Sequence, residues 1–455
     1  MRSQTDPARH RLQRLLWLYF ALLIIEGALR KWILPGLSDP LLLVRDPVAA
    51  AIIYFAVRDG YFPALRLTRG FTVLLAAFVL LGGLQLILGY FRSVPVMVFG
   101  LRTYFLHPPL IFIMAQVLDA RSIRRLGVST LILAMPIALL MVLQFQSAPH
   151  DWINLGVGKA GQQIQSALNK IRPPGPFSYI TGPVWYFSFT LSFLLASYVG
   201  GDRIPAVLRW AAWAALLAAV AVSGSRALLV ALVPVVLCAL AAPVVRPRLF
   251  GGLLQGFLTL AIAAAVVWSF NVIREGVDVL NIRITTSGGS RELLQRSANS
   301  YLYARTAWTD APLLGAGIGL GTNVGSTLAG RTGFQLGEDE WSRVIFEAGP
   351  VLGVAYLAWR FWLAVTLLRH AARAASVGYV LPLALFGACA SNLAMGQWGQ
   401  PSTQGFAVWV AGLCLAACRL SQAGRLREPA MAHSARGTRD WPVASGRVAV
   451  DNEEP

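Results

Sequence analysis

The sequence predicts an all-α fold: a polytopic transmembrane helical bundle of about 12 spans, with a long extracytoplasmic loop between spans 9 and 10. Three observations predict it. The 455 residues are 56% hydrophobic and 13% charged, with a mean hydropathy of +0.59, too little polar surface to cover a water-soluble globule of that size. Apolar runs approaching the ~20 residues that cross a ~30 Å hydrocarbon core recur between short polar breaks. The ten-residue alternating pattern of a membrane barrel is missing, which leaves helices as the means of satisfying the backbone in lipid.

Taken in order, the runs cover residues 15–34, 41–57, 71–88, 94–117, 128–145, 183–199, 206–222, 228–244, 253–273, 341–368, 380–395 and 405–420. The first enters Glu26, Arg30 and Lys31 without a small-residue cleavage site, so it is expected to stay as a span and not to act as a cleaved signal peptide. Basic residues gather in alternate short loops: Arg58, Arg66 and Arg69; Arg121, Arg124 and Arg125; Arg246 and Arg248; Arg369 and Arg373. By the positive-inside rule these loops are cytoplasmic, as are residues 1–14 and the tail. Residues 15–420 then form the transmembrane domain, with extracytoplasmic loops at 146–182 and 274–340. Residues 421–455, rich in Arg, Ala, Gly and Pro without periodicity, read as a disordered cytoplasmic tail.

The formal charge of +18 sits in short loops, which points to topology and away from nucleic acid. Cys238, Cys389, Cys414 and Cys418 lie in apolar runs with no CxxC pair, an argument against a zinc site or an oxidised framework. No internal repeat is visible, and the long loop belongs to the second half alone, which counts against a transporter built of repeated halves.

Several segments can carry chemistry. Ser223-Gly-Ser-Arg226-Ala places an arginine at a membrane edge, where it either grips a phosphate bidentately or snorkels. Gly315-Ala-Gly317-Ile-Gly319-Leu-Gly321 permits close backbone approach, to a ligand or to a packed neighbour. Glu338, Asp339 and Glu340 end the longest polar stretch, and Glu340, Arg343 and Glu347 fall at helical spacing on one face. A charged stripe entering the bilayer is costly unless it lines a cavity or pairs within its own helix. Glu26, Arg30 and Lys31, Arg45 and Asp46, and Arg102 with His107 recur at the ends of early spans, either to fix packing or to extend an anionic-ligand cavity. The histidines are scattered, and only carboxylates such as Glu338 to Glu340 offer a place for a divalent ion.

These features resemble the O-antigen polymerase and ligase superfamily, membrane glycosyltransferases that use undecaprenyl-diphosphate-linked glycans at the outer face of the bacterial inner membrane. The resemblance rests on twelve spans with both ends inside, the turn at Arg226, the motif Arg172-Pro-Pro-Gly-Pro-Phe before the sixth span, and Pro312-Leu-Leu-Gly-Ala-Gly-Ile-Gly in the long loop. It covers residues 172–356 well and the N-terminal third by topology alone. In the family a His-Asn pair stands a fixed distance before Glu-x-Gly; with Glu347-Ala-Gly349 setting the register, Glu338 occupies the histidine position and Asp339 the asparagine position. This departure, and the stretch from Glu26 to Pro35 that lies outside the family pattern, imply a divergent branch.

The resemblance implies a polyprenyl-diphosphate-linked glycan donor, a glycan or lipid-sugar acceptor, and no cofactor or metal. Glu338 would act as base towards the acceptor hydroxyl and Arg226 would stabilise the diphosphate, with Arg172, Arg291, Arg296, Arg305, Asp339, Glu340 and Arg343 binding substrate. Two alternatives stay open: a transporter or flippase for a lipid-linked or anionic amphiphile, and a membrane scaffold of a polysaccharide-export system that has lost catalysis.

Overall fold

The computed structural model describes residues 6–90, 93–158, 161, 163–199, 204–245, 247, 250–286, 302–330 and 339–423. Helix α1, Pro7–Ala28, starts where Asp6 accepts the Ala8 N–H at 3.0 Å, with proline at the first helical position. It runs into a wider π turn, Leu29–Ile33, closed by the Leu34 N–H on the Leu29 carbonyl at 2.8 Å. Pro35 stops it, since proline cannot donate the next helical bond. A single turn at Ser38–Leu41 leads to α2, Asp46–Arg58, and α3, Arg66–Ile87, follows. The apolar run 94–117 is two helices, α4 at Val94–Phe105 and α5 at Pro109–Val117, separated by Leu106, His107 and Pro108.

Next come α6, Ala120–Gln146; α7, Thr181–Val199; α8, Ala206–Val222; α9, Arg226–Val245; α10, Phe250–Trp268; and α11, Asn271–Thr286. Helix α12 covers 302–310, and α13, Asn323–Leu328, is short. The last three are α14, Glu340–Ser376; α15, Leu381–Met395; and α16, Pro401–Gln422. No strand occurs among the described residues; Gln165 and Ile171 make one isolated bridge.

Eight stretches are long and apolar enough to cross a membrane: Pro7–Ile33, Pro35–Arg58, Arg66–Ile87, Val94–Val117, Ala120–Gln146, Phe250–Trp268, Glu340–Ser376 and Pro401–Gln422. The other four predicted spans also fall on helices. Three of those are shorter apolar helices; α15, with 15 residues, reaches only ~22 Å at ~1.5 Å per residue. The protein is therefore a membrane protein of all-helical build with eight candidate spans among the described residues.

Helix α16 lies at the centre, with 89% of its apolar window buried, and packs on α5, α14 and α15; α15 also packs on α7 and α9. Leu80, Ile87, Leu139, Val207 and Val266 instead point outward, more than half exposed, as side chains facing lipid do. Cys389, Cys414 and Cys418 are buried and Cys238 half-buried, all as free thiols.

Helix α14 is kinked at Gly349, whose φ of 78° and ψ of 166° interrupt the helix just before Pro350. A positive φ suits glycine because it has no Cβ to clash. Pro350 leaves the Phe346 carbonyl without its helical donor, and the Ala316 N–H replaces it at 2.7 Å. Gln85 does the same for the Glu347 carbonyl at 2.9 Å, while its Oε1 accepts the Ile318 N–H at 2.9 Å. The glycine-rich run is the partner of this kink: a Cβ on Gly315 would stand 2.3 Å from the Glu347 carbonyl oxygen, and one on Gly319 2.4 Å from that of Val96. Most of the run is thus close backbone packing. Only its end, Gly321 with Thr322, reaches the cavity described next.

Candidate functional site

A cavity of about 440 Å³ opens where the last turn of α1, the starts of α7, α14 and α16, and the end of α15 come together. Its wall carries Glu26, Arg30, Asp39, Ser178, Tyr179, Thr322, Asp339, Glu340, Arg343, Gln397, Gln400 and Ser402. Two ion-pair networks hold the charged part of that wall. A third network, behind it, is structural.

The first network follows from helical spacing at the start of α14. Asp339 caps the helix by accepting the Trp341 N–H at 3.2 Å. Glu340, Arg343 and Glu347 then share one face. Arg343 pairs with Glu340 and with Glu347, each at 3.1 Å. Glu347 also accepts from the Tyr104 hydroxyl at 2.6 Å and the Gly321 N–H at 2.8 Å. Arg360, on the segment of α14 that follows the Gly349 break and fully buried, donates to Glu340 at 2.7 Å. It also donates to the carbonyls of Leu393 and Gly396, each at 2.9 Å, and lies 4.1 Å from the Trp398 ring centre. Two carboxylates and two guanidiniums balance one another, so the group is neutral and tolerable at membrane depth.

The second network joins the end of α1 to the loops around it. Arg45, 1% exposed, donates to Glu26 at 2.7 Å and to the Pro401 carbonyl at 2.8 Å. Arg30 donates to the Ser38 carbonyl at 2.7 Å and to the Ser178 hydroxyl at 3.1 Å. Lys31 donates to the Gly175 carbonyl at 2.7 Å, and Gln144 accepts the Gly175 N–H at 2.8 Å. The Arg172-Pro-Pro-Gly-Pro-Phe segment is therefore clamped over α1, and that clamp sets Ser178 and Tyr179 on the cavity wall. In the third network Arg102 grips Asp46 with two bonds of 2.7 Å, and His107 bonds the Tyr19 hydroxyl at 3.1 Å. These groups close the gap left by the break between α4 and α5.

Of the residues singled out from the sequence, Asp339, Glu340 and Arg343 meet on the cavity wall. The predicted pairing of Glu340, Arg343 and Glu347 and the predicted cavity lining occur together. Glu338, Arg291 and Arg296 lie outside the described residues. Arg226 is buried at the first position of α9, in a turn where the Gly224 carbonyl accepts from Arg283 and a Gly224 Cβ would meet Ser166 at 2.8 Å. Lys170 meets Glu275 at 2.9 Å close by, so the two predicted outer loops touch around this turn. Neither Arg226 nor half-buried Arg172 is among the residues lining the cavity, and Arg305 is exposed on α12.

Sequence reasoning left Asp39, Gln397, Gln400 and Ser402 out of the site, and gave Glu26 and Arg30 two readings, packing charges or an extension of an anionic-ligand cavity. Glu26 and Arg30 carried a usable signal, since ionisable side chains at the end of an apolar run are costly without a partner or a function. The glutamines and the serine carried none. Among the described residues no three His, Cys, Asp or Glu side chains group as metal ligands. No protein-family model matches this chain, and no curated protein matches it.

Proposed function

We propose that the protein is a membrane glycosyltransferase of the O-antigen polymerase and ligase type, acting at the outer face of the bacterial inner membrane with both termini cytoplasmic. It would transfer a glycan from a polyprenyl-diphosphate carrier to an acceptor sugar hydroxyl. The observation that supports this reading is the mixed wall of one cavity: guanidiniums of Arg30 and Arg343, carboxylates of Asp39, Asp339 and Glu340, and the amides and hydroxyls of Gln397, Gln400, Ser402 and Ser178. Guanidiniums suit a diphosphate, and neutral hydrogen-bonding groups suit a sugar.

In this reading the acceptor hydroxyl loses its proton to a carboxylate, its oxygen bonds to the anomeric carbon, and the bond from that carbon to the diphosphate oxygen breaks with inversion. Arginines stabilise the charge that develops on the departing diphosphate. The base is Glu338, immediately before the cavity-lining Asp339. Asp339 has its own task in capping α14.

Glu338→Gln and Asp339→Asn test these roles in proteoliposomes loaded with polyprenyl-diphosphate oligosaccharide. Glu338→Gln is expected to lower transfer at least 100-fold, within the usual range for loss of a general base, with donor binding retained. Full transfer by that variant removes Glu338 from the mechanism. A second reading, a transporter or flippase for the same kind of amphiphile, is favoured by one observation. The π turn and break after α1, the break between α4 and α5, and the kink of α14 are discontinuities of the kind found around substrate sites in transporters. Movement of the intact lipid-linked glycan without product would establish that second reading.

A further inference from the structure

We propose that Arg30 is the anion-holding arm of the cavity and that its ligand is a phosphate-bearing group; the proposal rests on reading the cavity as the donor site. Arg30 is 6% exposed, yet it stands on the cavity wall. Its Nε is committed to the Ser38 carbonyl and its Nη1 to the Ser178 hydroxyl, with Glu26 Oε1 3.7 Å away. Among the described residues nothing accepts from Nη2. Glu26 cannot neutralise it fully, because Arg45 already holds the other oxygen of that carboxylate at 2.7 Å. One carboxylate thus serves two guanidiniums.

Two further carboxylates, Asp39 and Asp339, face this space, so the anion is held by the bonds of the Arg30 fork and not by a net positive wall. Glu340 and Arg343 are balanced by Arg360 and Glu347. Asp339 is engaged in capping, and no ion pair within 4 Å joins Asp39 to Arg30 among the described residues. Helix α16 begins at the same wall, at Pro401 and Ser402, without a side-chain cap, so its first N–H groups and the positive end of a 22-residue helix add to the same preference. The fork of Arg30 is held rigid by Ser38 and Ser178, which suits a tetrahedral oxyanion better than a mobile surface charge does.

The test is equilibrium binding to the full-length protein in nanodiscs, with undecaprenyl diphosphate, undecaprenol and inorganic pyrophosphate as probes. Arg30→Gln is expected to weaken diphosphate binding at least tenfold while leaving undecaprenol unchanged. Arg30→Lys should recover part of the loss, and Arg274→Gln, an exposed arginine on α11 that lies off the cavity wall, should bind as wild type. Pyrophosphate binding that Arg30→Gln also weakens identifies the free anion as sufficient; weakening seen only with the lipid form identifies the lipid head group. Either supports the assignment.

An Arg30→Gln variant that melts like wild type and binds undecaprenyl diphosphate equally well overturns it. Should that variant not fold, Ser178→Ala, which frees one prong of the fork, decides: a severalfold loss supports the assignment and unchanged affinity overturns it. Diphosphate binding that needs Arg30 in a protein forming no glycan product keeps this proposal and removes the transferase. Undiminished product from Arg30→Gln does the reverse.

Discussion

Arg360 offers the sharpest test of how the cavity is held. Replacing it with methionine keeps much of its length but removes its bonds to Glu340 and to the Leu393, Asn392 and Gly396 carbonyls. Glu340 is 1% exposed and Arg360 is fully buried, so water has little access to the orphaned groups. Breaking a buried pair by deleting one partner costs about 3–5 kcal/mol. The stranded carbonyls add to that cost, by up to about 1–3 kcal/mol each when left dry. Arg343 still stands 3.1 Å from Glu340 and offsets part of it. A net loss of about 4 kcal/mol is expected for Arg360→Met.

Adding Glu340→Gln removes the stranded charge, so the double variant should regain about 2 kcal/mol relative to Arg360→Met alone, a coupling of the size contacting residues show. SDS titration of the purified protein, followed by tryptophan fluorescence, reads both values. An Arg360→Met variant within 1 kcal/mol of wild type, or strictly additive losses in the double variant, would refute the idea that this network holds the junction of α14 and α15.

Three further outcomes follow from the same geometry. Gln85→Leu removes the side chain that serves the Glu347 carbonyl and the Ile318 N–H at the kink, and should cost about 2–3 kcal/mol in the same titration, within the range for buried groups left unsatisfied. Asp119→Ala removes the cap of α6, where Asp119 accepts the Ser122 N–H at 2.7 Å, and should cost about 1 kcal/mol at pH 7. Burial pushes the Asp119 carboxyl up, but the Ser122 backbone and hydroxyl outweigh it and hold the carboxyl below its ordinary value. Its contribution is therefore complete above about pH 4 and lost as pH falls through the lowered value, whereas Asp119→Asn should show no such loss. Tyr179→Cys, at an exposed position beside the cavity, should react with a membrane-impermeant maleimide on intact cells; labelling only after the cells are opened would reverse the assigned orientation.

Helices were legible because lipid demands long apolar runs: each of the twelve runs falls largely on helix, and eight stretches among the described residues are long and apolar enough to cross a membrane. Their continuity was not. The run 94–117 reads as one helix by hydropathy, yet Pro108 and Pro109 divide it, and His107 is accommodated by Tyr19 on α1, a contact 88 residues away in sequence that no local pattern encodes. Glu340, Arg343 and Glu347 could be grouped because helical spacing is a local property. Arg360 could not, since its bonds run to the end of a different helix.

Arg226 was grouped with the acidic cluster through the family resemblance, and no local pattern in the sequence shows that the Gly224 turn before it packs on Ser166 and Val279. Arg30 shows the opposite case. Its place on the cavity wall depends on Ser38 and Ser178 meeting at the π turn of α1, which hydropathy does not reveal.

The central claim is that this cavity transfers a glycan from a polyprenyl-diphosphate carrier. The most direct measurement is product analysis from proteoliposomes containing purified protein and lipid-linked oligosaccharide, with and without EDTA, wild type beside Glu338→Gln. The account predicts longer or newly attached glycan with wild type alone, unaffected by EDTA; lipid-linked glycan that crosses the bilayer unchanged would contradict it.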